Sequence, residues 1–108
     1  MTSKPVEGKT TAIIAYFTIV GSLIAITMNL EPKHQFARFH IRQAFGIHLL
    51  FHAFAIFFSY SGINYAWIGL YIFYLILWGY GFTSALGDTK KEIPIAGPYF
   101  QKWFTFIQ

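Results

Sequence analysis

The chain has 108 residues, of which 56% are hydrophobic and 11% charged. That is one domain at most, with under half of the ~25% charge that keeps an ordinary globular domain in water. Cysteine is absent, which excludes disulfides, thiolate metal sites and cysteine nucleophiles. The net charge of +4 suits a membrane protein flanked by anionic lipid. With no basic face outside the apolar runs, nucleic-acid binding is a poor alternative.

The charges fall into three islands: residues 1–9, 31–42 and 88–102. The uncharged stretch 10–30 is 21 residues long and the stretch 43–87 is 45. A bilayer core takes about 20 apolar residues per helix, so the first stretch reads as one span and the second as two. The first span, about 10–30, is too long for the apolar part of a signal peptide and is followed by no small-residue cleavage pattern. It is expected to be retained.

Pro32 suits a first helical turn. A helix from about 32 is therefore expected, with its first ten residues among the headgroups and its membrane span at about 40–60. Ser61-Gly62-Ile63-Asn64 is the turn signal that divides the long stretch. The third span follows at about 64–86, closed by Gly87 as a C-cap. The tail, about 93–108, is broken by Pro94, Gly97 and Pro98 and is too short to cross. A short interfacial helix from about Pro98 is expected there.

The fold class is thus an all-α, three-span membrane bundle in a single domain covering residues 1–108. Three spans put the termini on opposite sides. Lys33, Arg38, Arg42, Lys90, Lys91 and Lys102 then share one side, against Lys4 and Lys9. The positive-inside rule gives N-terminus out and C-terminus in.

Helix packing within lipid depends on small residues. Gly21 and Ala25 in the first span, and Gly81 and Ala85 in the third, are the candidate contact positions. At the junction FARFHIRQAFGIH, Arg38 and Arg42 share a helix face. They can meet lipid phosphate or an acidic partner, or act as snorkelling anchors that fix depth. His40 and Gln43 can hydrogen-bond locally or grip an external group together.

His48 and His52 are also four apart. His40 lies about 12 Å in rise from His48, too far to share an ion whose nitrogen ligands stand about 2 Å away. These intramembrane histidines are expected to hydrogen-bond across helices, to Ser22, Thr18, tyrosine hydroxyls or a partner subunit. A metal or haem site would need further ligands from that partner. No motif for nucleophilic, phosphate-binding or metalloprotease chemistry is present. No catalytic residue, metal ligand or cofactor is expected.

The segments AIIAYFTIVGSLIAITMN, FARFHIRQAFGI and GDTKKEIPIAG carry a resemblance over nearly the whole chain. It resembles the Tic20-like family of small bacterial membrane proteins, also known as DUF4870. The aromatic-His-x-x-Gln core of that family is matched by Phe39, His40 and Gln43. Its Gly-polar-Ile-Pro motif is matched by Gly87, Ile93, Pro94 and Gly97. His48 and His52 lie outside the pattern. The resemblance implies a place in a membrane protein-handling assembly, in the bacterial inner membrane.

The leading expectation is a non-catalytic accessory subunit docked on a larger inner-membrane complex. The alternatives are a component of a protein- or solute-translocation assembly and a histidine-based metal or haem site shared with a partner. Expected partners are membrane lipids and other integral membrane subunits or further copies of this chain.

Overall fold

The computed structural model describes residues 8–30 and 33–107. Among these residues the chain is all-helical: α1 Lys9–Phe17, α2 Ile19–Met28, α3 Gln35–Ser61, α4 Ala66–Leu86 and α5 Gly97–Trp103. Two helices, α3 and α4, are long and apolar enough to cross a membrane.

The expected first span, 10–30, is not one helix. It breaks at Thr18, whose backbone is extended (φ −154°, ψ 176°). Thr18 then caps α2: its Oγ1 accepts from the Gly21 N–H at 3.1 Å, and its carbonyl accepts from the Ser22 N–H at 3.0 Å. A side-chain oxygen at an N-cap matches one of the donors that a helix start leaves unpaired. Ser22 Oγ reaches back over the break and donates to the Ala15 carbonyl at 2.8 Å.

The two pieces fold against each other. A Cβ built on Gly8, just before α1, would stand 2.7 Å from His34 Cβ. Just after α2, Asn29 Oδ1 accepts from the His34 N–H at 3.0 Å. Both ends of the α1–α2 unit therefore meet at the start of α3, and the unit is an antiparallel hairpin with Thr18 at its tip. Gly21 permits the crossing, because a Cβ there would collide with the Ile14 carbonyl oxygen. Nine or ten residues rise only about 14–15 Å, half of a bilayer core of about 30 Å.

This corrects the placement of the ends. Lys9 Nζ donates to the Leu86 carbonyl at 2.9 Å and pairs with Asp88 at 2.7 Å. The start of α1, the start of α3 and the end of α4 thus lie together, at what we call the base. The tail joins them there, because α5 lies along α3: Gln101 Nε2 donates to the Phe39 carbonyl at 2.7 Å. The first and last described residues, Gly8 and Ile107, do not stand at opposite ends. The far end is formed by the uncharged turn between α3 and α4, where Gly62 adopts φ 72° as the C-cap of α3.

The core sits toward the base. Ala12, Tyr16, Ala37, Ile41, Ala44, Ile47, Ala85, Ile93 and Ile107 are buried in it. Beyond the hairpin tip, α3 and α4 continue as a bare pair. Phe54, Ile56, Phe57, Ile68, Ile72 and Phe73 there are exposed. The molecule is accordingly elongated, 54 × 28 × 22 Å.

Candidate functional site: a sealed polar latch and an open polar pocket

Three polar side chains meet inside the base. Tyr16, from α1, and His40 and Gln43, from α3, are each 0% exposed. His40 Nε2 lies 2.7 Å from the Thr89 carbonyl, which can only accept, so Nε2 carries the proton. In the neutral ring Nδ1 is then an acceptor, and the Tyr16 hydroxyl donates to it at 2.6 Å. Gln43 Nε2 donates to the Tyr16 oxygen at 3.0 Å and to the Lys91 carbonyl at 3.1 Å. Gln43 Oε1 accepts from the Ile93 N–H at 2.8 Å.

The result is a closed network joining α1, α3 and the segment after α4. Its partner segment is itself knotted: Ser84 Oγ donates to the Thr89 carbonyl at 2.9 Å and accepts from the Lys91 N–H at 2.9 Å. Among the described residues no buried side-chain nitrogen or oxygen lacks a hydrogen bond. A network matched in this way specifies one arrangement of its elements.

The expected outward roles of His40 and Gln43 are therefore corrected. Both are enclosed and used within the chain. Arg42 also turns inward: its Nε donates to the Ile107 carbonyl at 2.9 Å, with longer contacts from Nη1 to Gln101 and from Nη2 to Thr105. It clasps the end of the tail, so its guanidinium is not free for a phosphate. Arg38 is half-buried, and its side chain makes no hydrogen bond or ion pair among the described residues.

The small residues are all buried. Gly81 receives the Tyr16 ring, which would stand 2.7 Å from a Cβ there. Tyr16 packs edge-on against Phe82, and its carbonyl accepts from Trp78 Nε1. Gly21 seats the Ile14 carbonyl, as described, and Ala25 and Ala85 lie in the same core.

His48 and His52 divide. His48 is 2% exposed. Its Nε2 donates to the Ala15 carbonyl at 3.1 Å and its Nδ1 accepts from the Tyr74 hydroxyl at 3.1 Å. Of the expected partners a tyrosine hydroxyl is the one used, and Ser22 and Thr18 are not. With both nitrogens engaged, His48 has none left for a metal shared with a partner. His52 is exposed and makes no hydrogen bond among the described residues. Both rings border an open pocket of about 300 Å³ at the hairpin tip, with Thr18, Ile19, Phe51, Tyr71 and Tyr74. Among the described residues no group of three or more His, Asp or Glu could hold a metal ion.

Tyr16 and Thr89 are the residues that sequence reasoning missed. Tyr16 is the first tyrosine of an apolar run, at the right depth to meet a histidine. Thr89 contributes through its backbone carbonyl, which leaves no signal in a sequence.

No known protein family, no curated protein and no solved structure matches the chain.

Proposed function

We propose that the chain is a small, non-catalytic subunit of the bacterial inner membrane that docks on another integral membrane protein. The observation that carries this is the bare outer half of α3 and α4. A groove of about 260 Å³ runs there between Phe54, Phe58, Ala66, Gly69, Leu70 and Phe73. A Cβ at Gly69 would meet nothing within 4 Å, so the backbone is open to a side chain from outside. In lipid, small residues that allow close approach are what helix association uses. The occupant is a transmembrane helix of the partner, with an apolar knob over Gly69.

The charge distribution supports insertion and sets its sense. From Arg42 to Ser61 the rise is about 29 Å, the thickness of a bilayer core. Only 22% of the most apolar window of α3 and 28% of that of α4 is covered by the chain itself. Every described lysine and arginine belongs to the base or to the α5 segment folded on it, and the far turn has none. The positive-inside rule then favours the base in the cytoplasm and the 61–65 turn outside.

The half-depth hairpin favours a second reading, a component of a protein- or solute-translocation assembly, as the resemblance to Tic20-like proteins implies. A hairpin that stops midway leaves polar groups open at mid-depth, where a polar cargo needs them.

Native purification in mild detergent followed by identification of co-purifying proteins tests the docking reading. Recovery with an integral membrane protein, lost in Gly69→Phe, is expected. Recovery solely as a monomer overturns it.

A further inference from the structure

The pocket at the hairpin tip has features that neither the latch nor the docking groove uses. On the reading that α3 and α4 cross the bilayer, His52 lies ten residues past Arg42, about 15 Å deeper. That is the middle of the hydrocarbon. Thr18, also on the pocket wall, is extended and exposed at the same depth. Irregular backbone at such depth occurs only against protein or beside a polar cavity.

The wall carries uncommitted donors. Thr18 Oγ1 accepts from Gly21, and its own proton has no acceptor among the described residues. The Tyr71 hydroxyl and the His52 ring have no hydrogen bond there either, and both residues are exposed. Each such group costs several kcal/mol if left unmatched in hydrocarbon. The rest of the lining is aromatic: the Phe51 ring lies 5.4 Å from Tyr71 and 4.6 Å from Tyr74, centre to centre.

We propose that this pocket binds a lipid-soluble quinone, its carbonyl oxygens accepting from Tyr71, His52 and Thr18 and its ring lying on Phe51. The chemistry follows from the place. The donors call for acceptor oxygens. The depth excludes the ester carbonyls of ordinary lipids, which sit at the interface about 15 Å away. The aromatic wall favours a flat ring over a saturated chain. A quinone carries all three properties and reaches the site through the bilayer. At about 300 Å³ the pocket suits a single ring, with the tail left in lipid.

The test uses the full chain in nanodiscs and a benzoquinone bearing a decyl tail. Quinones quench tryptophan emission, and the Trp67 ring lies 6.2 Å from Tyr71. Saturable quenching is expected, weakened about tenfold by Tyr71→Phe or His52→Leu, the loss of one hydrogen bond. Ile63→Ala, exposed and far from the pocket, should bind as the wild type does. An alkyl ketone of matching length should not displace the quinone. Quenching that does not saturate, that is unchanged in both variants, or that the ketone abolishes overturns the proposal. A chain that enters the nanodisc but fails these tests overturns the quinone site alone. A chain that stays out of the nanodisc overturns the membrane reading and the site with it.

Discussion

The Tyr16 hydroxyl donates to Nδ1 of His40 across 2.6 Å and 24 positions of chain. This bond joins a helix that stops at Phe17 to one that continues to Ser61, and it holds the ring in the tautomer that reaches Thr89. Removing one partner leaves others unmatched, which costs more than the bond itself is worth.

Tyr16→Phe should therefore destabilise the fold by about 1–3 kcal/mol, because His40 Nδ1 and a Gln43 amide proton lose their partner. Thermal unfolding in detergent micelles measures this. His40→Ala combined with Tyr16→Phe should cost clearly less than the two single changes summed, since both act on one network. Strict additivity would show that the latch is not a unit.

Gly21→Ala should open the hairpin. The added methyl would collide with the Ile14 carbonyl oxygen, a backbone atom that cannot swing aside as a side-chain end would. A loss of about 1–3 kcal/mol is expected from such overpacking. Gly69→Ala, on an open face, should leave monomer stability unchanged. Equal melting of the two variants would refute the hairpin crossing.

The chain has no cysteine, so single cysteines report topology cleanly. In intact spheroplasts a membrane-impermeant maleimide should label Gly62→Cys and spare Thr10→Cys and Lys90→Cys. Labelling of Thr10→Cys from outside would restore a full first span.

Arg42→Ala should release the tail. The guanidinium holds the carbonyls of Gln101, Thr105 and Ile107, contacts that alanine removes entirely. Faster tryptic cleavage after Lys102 is expected, with α3 and α4 left intact. An unchanged cleavage rate would show that Phe100, seated on Gly46, and the Gln101–Phe39 bond hold the tail without Arg42.

The second and third expected spans and the short tail helix were legible because their limits are written in local chemistry. A charge island covers the start of α3, Ser61–Asn64 divides α3 from α4, and Pro98 lies in the first turn of α5. The break at Thr18 was not legible in the same way. Residues 10–30 are uniformly uncharged and of full spanning length, and that length outweighed a threonine followed by Gly21 and Ser22. Those residues are the cap and the crossing point, but their meaning depends on Ile14 and Ala15 coming back alongside them.

The span count was misread with it: the expected first span is two short helices that turn back at Thr18. His40 and Gln43 were rightly singled out as a pair. Whether they face inward or outward is decided by the segment 89–93, which supplies backbone groups and so is silent in a residue-type pattern.

The contact between Lys9 and the end of α4 has a consequence for biogenesis. A ribosome makes residue 9 long before residue 88, and the hairpin alone is too short to hold itself across a bilayer. The first helix can pack on α2 and α3 as soon as these exist, but Lys9 waits for its ion-pair partner until α4 has been made. The base is thus sealed last, so truncation after α3 should leave the hairpin on α3 but take from it Asp88 and the Thr89, Lys91 and Ile93 backbone groups that close the latch.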